Sequence, residues 1–138
     1  MALLDVNALV ALVWDSHIHH VRMREWFAAN ASHGWATCPI TESGFIRVSA
    51  NPTVFPSPIG IADAVRVLTA LRTVARHRFL TDDVSITDDD VPRIVGHRQV
   101  TDAHLLTLAR RRGIRLVTFD GAVAALAQGR DVELLRVL

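Results

Sequence analysis

The stretch VTDAHLLTLARRRGIRLVTFDGA, from Val100 to Ala122, decides the fold class. Leucine and alanine recur at helical spacing over Thr101 to Arg112, and Gly113 is typical of the residue at which a helix stops. Ile114 to Phe119 is a short apolar run that predicts a buried strand, and Asp120 follows it directly. The stretch therefore predicts a helix and a strand that ends at a carboxylate.

The same alternation of helix and strand runs through the rest of the chain. Because strands separated by helices need crossover connections, the pattern predicts a mostly parallel sheet of four to five strands, with helices on both faces. This is a doubly wound α/β fold. The remaining predicted strands are Ala2 to Val6, Trp35 to Cys38, Arg78 to Leu80 and Asp131 to Leu138; the remaining predicted helices are Asn7 to Trp14, Ser16 to Ala31, Pro39 to about Ser49 and Ile61 to His77.

Length and composition favour one domain, residues 1–138, without disulfides. Asn51 to Gly60 is predicted to be a loop, but no linker is long enough to divide the chain. Cys38 is the only cysteine, so we expect a reducing, cytoplasmic setting, and the first residues suggest neither an export signal nor a membrane anchor. Half of the residues are hydrophobic, which favours a surface covered by a second subunit or a partner. Trp26 and Phe27 fit the core or a subunit face, and we expect them on that covered surface.

Four acidic residues stand where such a fold gathers ligands. Asp5 closes the first predicted strand, Asp120 directly follows the fourth, Glu42 lies in the first turn after the second, and Asp102 begins a helix. In an open parallel sheet the carboxyl ends of the strands form the crevice in which ligands bind. Each acid alone is also explained as a helix cap, but all four together would repel one another without a cation.

The acids therefore predict a site for Mg²⁺ or Mn²⁺, which prefer oxygen ligands and keep some bound water. We expect Asp5, Asp102 and Asp120 to be metal ligands. Glu42 is predicted to be a further ligand or to position the attacking water. Such a site can activate water for attack on a phosphodiester without a covalent nucleophile.

At this point the chain resembles the PIN domains and, within them, the VapC toxins of type II toxin–antitoxin modules. The resemblance implies a cytoplasmic Mg²⁺- or Mn²⁺-dependent endoribonuclease, usually a homodimer, that is held inactive by a small VapB-like antitoxin. It also implies that the metal-binding acids fall on Asp5 and Asp102, that Glu42 and Asp120 complete the acidic group, and that Asn7 and Thr118 support it. The segments that carry it are LLDVNALVAL (Leu3 to Leu12), ITESGFIRV (Ile40 to Val48) and the stretch quoted above.

The absence of lysine excludes several other enzyme classes. The chain has no lysine, whereas haloacid-dehalogenase-type phosphatases, receiver domains and P-loop NTPases each need one in the site. The alternative that stays open is a catalytically inactive PIN-like or other α/β binding module whose acids only cap helices.

The other polar clusters favour structural roles. His17, His19 and His20 lack the spacing of a helical zinc pair, so they and His104 are interpreted as solvated helix residues. The arginines at 110–112 suit a helix end, and the aspartates at 88–90 suit a turn or a cap. Arg93 and Arg98, in the segment before Asp102, are the predicted contacts to RNA phosphates.

Overall fold

A computed structural model of the protein describes residues 1–74 and 76–136. Its centre is one sheet of five strands in the order β3-β2-β1-β4-β5, in which every neighbouring pair is parallel. The predicted doubly wound α/β fold is thereby confirmed. The strands are β1 (Ala2–Leu4), β2 (Trp35–Thr37), β3 (His77–Phe79), β4 (Arg115–Thr118) and β5 (Val132–Leu134).

Six α-helices connect and cover these strands in the described part of the chain. They are α1 (Val6–Val13), α2 (His20–Asn30), α3 (Pro39–Ser49), α4 (Ile61–Leu71), α5 (Val100–Arg111) and α6 (Gly121–Leu126). Short 3-10 helices follow α2 (Ala31–His33) and precede α5 (His97–Gln99). Within residues 1–74 and 76–136, no helix has both the length and the apolar character needed to cross a membrane.

Alternate residues of the central strands pack on opposite faces of the sheet. On one face, Leu4 and Val117 are buried in a core with residues of α1, α2, α3 and α4. On the other face, Leu3 and Leu116 are buried with residues of α5 and α6. Because successive side chains of a strand point to opposite faces, a strand buried on both sides has no polar alternation, and "ALL" in β1 shows this pattern.

Three predicted boundaries near the amino terminus and the middle of the chain are wrong for local reasons. Strand β1 ends at Leu4 because the Asp5 side chain accepts from the Val6 amide and begins α1. Helix α2 begins at His20 rather than Ser16, since backbone bonds close turns over residues 14–20. Helix α4 ends at Leu71, well before His77, and Arg76 adopts a left-handed φ of 62° that turns the chain into β3.

The carboxyl-terminal part differs in two further ways. Helix α6 was not predicted, although Asp120 before an alanine-rich segment is a recognisable helix start. Strand β5 covers only Val132–Leu134 of the strand predicted over Asp131 to Leu138. Residues 137 and 138 of that prediction lie outside the described residues. The loop predicted over Asn51 to Gly60 contains no helix or strand, as expected.

Helix α3 packs closely against the start of α1 at Gly44. A Cβ atom at position 44 would overlap the Cγ2 methyl of Val6. Val6 is β-branched and lies in a helix, so its rotamer is restricted and it cannot easily turn aside. The missing side chain at Gly44 therefore sets the distance between α3 and the residue that follows Asp5.

We expect Gly44→Ala to lower the free energy of unfolding by about 1–3 kcal/mol, the usual effect of overpacking a buried contact. Urea unfolding followed by circular dichroism measures this change. Gly96→Ala is the matched control, because a Cβ at Gly96 meets no atom within 4 Å and its φ of −130° suits alanine. Equal stabilities of the two variants would show that α3 can move away from Val6 at no cost.

Candidate metal-binding site

Asp5 directly follows β1, and hydrogen bonds hold both its backbone and its side chain. Its backbone amide donates to the Val117 carbonyl of β4 at 2.9 Å. One carboxylate oxygen accepts from the Val6 amide at 2.7 Å, and the other accepts from the Thr118 hydroxyl at 2.8 Å. The residue is only 6% exposed. Burial raises the pKa of Asp5, and the charge of Asp120 adds to that rise, while the two hydrogen bonds lower it.

Asn7 and Thr118 connect the start of α1 to the end of β4. The Asn7 amide group donates to the Thr118 hydroxyl at 3.1 Å, and its carbonyl oxygen accepts from the Phe119 amide at 3.1 Å. The Thr118 hydroxyl oxygen also accepts from the Asp120 amide at 3.1 Å. These bonds hold the loop that carries Asp120 next to Asp5.

Asp102 and Asp120 face Asp5 across a shared cleft of about 360 Å³. Asp120 caps α6, and its side chain accepts from the Ala122 amide at 2.9 Å. Asp102 lies in the first turn of α5. Its pKa rises to about 6, first because it is partly buried and then because Asp5 and Asp120 are negatively charged. We call this the aspartate cleft; its lining residues are Asp5, Val6, Asn7, Val10, His17, Arg47, Val48, Val54, Thr101, Asp102 and Asp120.

The cleft has the donor chemistry of a site for a hard cation. Over residues 1–74 and 76–136, no arginine or histidine forms an ion pair with Asp5, Asp102 or Asp120. In the same residues, no group of three or more acidic, histidine or cysteine side chains is already arranged to hold a metal ion. What supports the fit is the chemistry of the donors: three carboxylates line one cleft, and Mg²⁺ takes a few carboxylate oxygens and completes its shell with water.

Glu42 is not among the residues that line the aspartate cleft. It lies in the first turn of α3, where it accepts from the Thr37 hydroxyl at 2.6 Å and pairs with Arg72 at 3.5 Å. Thr37 is also within 2.8 Å of His77 Nε2 on β3. The structure therefore brings Asp5, Asp102 and Asp120 together and places Glu42 on the β2–β3 side of the sheet.

Comparison with known proteins agrees with this fold. Residues 2–129 match the PIN domain family. The chain belongs to the PIN-domain family. This PIN domain is 75% identical over 141 aligned residues to Ribonuclease VapC38 of Mycobacterium tuberculosis (strain ATCC 25618 / H37Rv), with 100% of both chains covered. It is 46% identical to Ribonuclease VapC39 of Mycobacterium tuberculosis (strain CDC 1551 / Oshkosh), over 97% of this chain and 99% of the relative. The resemblance to VapC proteins seen in the sequence is confirmed.

A solved structure shows the same fold. The crystal structure of Mycobacterium tuberculosis VapC20, a Sarcin-Ricin loop cleaving toxin, superposes on this PIN domain with a TM-score of 0.64. The superposition covers 91% of this chain and 94% of VapC20, at 14% sequence identity. At that identity the match concerns the fold alone.

The arginines singled out in the sequence fall into two groups. Arg93 and Arg98 are exposed but do not line the aspartate cleft of this PIN domain, so their contact to RNA phosphates stays a prediction. The arginines at the end of α5 have structural partners. Arg110 pairs with Asp131 at 3.0 Å, Arg111 pairs with Asp88 and Asp90, and Arg112 donates to the Thr81 carbonyl.

Two residues of the cleft were missed in the sequence, and the interpretation of the histidines was wrong. His17 and Arg47 line the aspartate cleft. His17 precedes α2 and is not a solvated helix residue; His19 stacks on Phe119, with ring centroids 4.4 Å apart. His104 is also not solvated, because it pairs with Asp82 at 2.6 Å. For Arg47 a signal existed, since Gly44, Arg47 and Val48 have the spacing of one helix face.

Trp26 does not lie on a partner surface. It is 4% exposed within the core of this chain, and its indole N–H donates to Glu133. Phe27 is only partly buried and lines an apolar groove of about 470 Å³ with residues of α1 and α4, among them Leu12, Val67, Leu71 and Val74. The expectation of a covered apolar surface is therefore wrong for Trp26 and stays a prediction for Phe27.

The raised pKa of Asp102 predicts how stability depends on pH when no metal is added. A folded-state pKa of about 6, above the ordinary 3.8, means that the folded protein holds this proton more tightly than the unfolded chain does. The stabilising contribution is therefore complete below about pH 4 and is lost as pH rises through about 6. With chelator present, we expect Asp102→Asn to be more stable than wild type at pH 7 and to lose this advantage near pH 4.

Thermal unfolding of both proteins between those pH values measures the effect. Asp83→Asn is the control, because Asp83 is exposed and lies outside the cleft. A constant difference between Asp102→Asn and wild type over the whole range would contradict the raised pKa of Asp102 in the folded protein.

Proposed function

We propose that the chain is a metal-dependent endoribonuclease that hydrolyses RNA phosphodiester bonds, and that it is the toxin of a type II toxin–antitoxin module. The observation that carries this proposal is the carboxylate of Asp102. It is partly buried beside two other aspartates, yet within residues 1–74 and 76–136 it accepts no hydrogen bond and joins no ion pair. At pH 7 this carboxylate is mostly ionised despite its raised pKa, and a bound cation would compensate for its charge.

Asp5, Asp102 and Asp120 would hold the cofactor, Mg²⁺ or Mn²⁺. When bound, the ion supplies Lewis acidity, which lowers the pKa of a coordinated water and stabilises charge on the phosphate.

The chain itself positions the ligands. Thr118 and the Val6 amide hold the two oxygens of Asp5, so this carboxylate presents a defined edge to the cleft. Asn7 orients the Thr118 hydroxyl and holds the Phe119 amide. Such supporting bonds typically change metal affinity or activity by about 10- to 100-fold when they are removed. We therefore propose that Asn7 and Thr118 are supporting residues.

The alternative, an inactive module whose acids only cap helices, explains two of the three aspartates. Asp5 caps α1 and Asp120 caps α6, each through its side chain. Asp102 forms no such cap, because Gln99 occupies the cap position of α5; only its place in the first turn, near the positive end of the helix dipole, fits this alternative. Asp102 therefore favours the enzyme over the capping-only module.

The proposed partners are the RNA substrate, a VapB-like antitoxin and a second copy of the chain in a homodimer. The relatives are VapC proteins, which supports an antitoxin, and the apolar groove beside Phe27 supports a partner that covers this part of the surface. The unpaired Cys38 suits the cytoplasm, where we propose that the protein acts.

We expect purified wild-type protein to cleave total cellular RNA with Mg²⁺ or Mn²⁺ and not with EDTA. Asp5→Asn should reduce cleavage by more than about 100-fold, since it removes a ligand and not only a supporting bond. Gel analysis of the RNA measures both results. Intact RNA with the wild type under all conditions, together with no Mn²⁺ effect on its melting temperature, would favour the capping-only module.

Glu42 needs its own experiment, because its contacts favour a structural role over the predicted role of ligand or water-positioning group. We expect Glu42→Gln to weaken the ion pair with Arg72 and lower the free energy of unfolding by about 1 kcal/mol. The rise of the melting temperature with Mn²⁺ should remain.

The control for this variant is Glu25→Gln, at an exposed position on α2. Loss of the Mn²⁺ response in Glu42→Gln, with an unchanged response in Glu25→Gln, would instead make Glu42 part of the metal site.

A further inference from the structure

Arg47 is a cation at the aspartate cleft that has no partner. It lies on α3, is exposed, and lines the cleft together with the three aspartates. Within residues 1–74 and 76–136, it forms no ion pair, and no hydrogen bond from its guanidinium is present. Arg110, Arg111 and Arg112 are by contrast all engaged by side chains or carbonyl groups.

The packing of α3 places Arg47 at the cleft. Gly44, Arg47 and Val48 are at positions i, i+3 and i+4 of one helix face. Gly44 meets Val6 of α1, and Val6 and Val48 also line the cleft. The close contact at Gly44 therefore holds the next turn of α3, with Arg47, at the edge of the same cleft.

His17 adds a neutral hydrogen-bond donor to this cleft. Its Nδ1 accepts from the His19 amide at 3.0 Å, which places the hydrogen of the neutral ring on Nε2. Burial, followed by the nearby His19 and His20, lowers the pKa of His17 and so favours the neutral ring. In the described residues, Nε2 of His17 has no hydrogen-bond partner.

We propose that Arg47 and His17 form the phosphate-binding side of the aspartate cleft, where they hold the RNA backbone beside Asp5, Asp102 and Asp120. This inference rests on the proposed function and names residues that bind its substrate. Both residues line the cleft, and within the described residues neither the Arg47 guanidinium nor Nε2 of His17 has a hydrogen-bond partner.

The charges in the cleft explain why such a side is needed. Three aspartates repel a polyanion, and a single divalent ion neutralises only two of their charges. The planar guanidinium of an arginine can donate two parallel hydrogen bonds to one phosphate, which suits an exposed residue that must bind and release its substrate. Arg47 thus supplies both the missing charge and the geometry of a phosphate contact.

The test measures binding of a fluorescent single-stranded RNA of mixed sequence, in an Asp5→Asn background that does not cut it. We expect Arg47→Ala to weaken binding by about 10-fold or more, the effect of one charge-assisted hydrogen bond. The slope of log affinity against log salt should fall by about 0.7, as for one phosphate contact to a single strand. Arg47→Lys should keep the slope and lose part of the affinity, since lysine keeps the positive charge but cannot donate the two parallel hydrogen bonds of a guanidinium.

His17→Ala should weaken binding without changing the salt slope at neutral pH, because the lost donor is uncharged. Arg66→Ala is the matched control: it removes the same charge from an exposed arginine that pairs with Asp63 on α4. Without the Asp5→Asn change, Arg47→Ala should raise KM more than it lowers kcat, and its Mn²⁺-dependent rise in melting temperature should equal that of wild type.

RNA affinity and salt slope of Arg47→Ala equal to those of Arg66→Ala would overturn the proposal. The outcome is distinct from failure of the proposed function, which is decided by whether wild type cuts RNA with metal. If wild type does not cut, the binding experiment still decides whether Arg47 and His17 contact the phosphates.

Discussion

The parallel pairing of β1 with β4 is the constraint on which the site depends. In the order β3-β2-β1-β4-β5, the chain continues from β1 to β2 and β3 on one side of this pair and from β4 to β5 on the other side. At such a switch point the loops diverge and leave a crevice at the carboxyl ends of the strands. Asp5 and Asp120 follow β1 and β4, and the Asp5 amide bonds directly to β4. The topology therefore forces the two carboxylates together before any side chain is considered.

Bringing carboxylates together costs stability, and the local hydrogen bonds show how the fold tolerates that cost. The buried Asp5 carboxylate accepts hydrogen bonds from the Val6 amide and the Thr118 hydroxyl, and Asp120 accepts one from the Ala122 amide of α6. Asp102 has no such hydrogen bond in the described residues, and burial together with the charges of Asp5 and Asp120 raises its pKa to about 6; burial raises the pKa of Asp5 as well, in spite of its hydrogen bonds. Functional sites often retain such destabilising groups because the bound ligand compensates for them. The cost at Asp102 is therefore larger at neutral pH, where its carboxyl group is mostly ionised, than at pH 4.

The parts of the site that could be predicted from the sequence are those set by local structure. Asp5 and Asp120 follow apolar runs directly, so their place at the strand ends depends on only one or two residues. Glu42 has the same local signature, but the rotation of α3 directs it to Thr37 and Arg72 instead. That rotation is set by the contact between Gly44 and Val6, which joins residues distant in sequence. His17 was missed for a similar reason, since a turn replaces the helix that the polar spacing suggested.

The balance of charge in the cleft also explains why the composition of the chain says little about its ligand. A net charge of +1 suggests no affinity for a polyanion. In the structure, however, five arginines of the described residues form ion pairs (Arg66, Arg72, Arg110, Arg111 and Arg115), whereas Arg47 forms none and lies at the aspartates. Local placement therefore creates adjacent anionic and cationic sides in one cleft. Such a cleft suits a polyanion that contacts Arg47 directly and the aspartates through a bound cation. It would suit a neutral or a cationic ligand poorly.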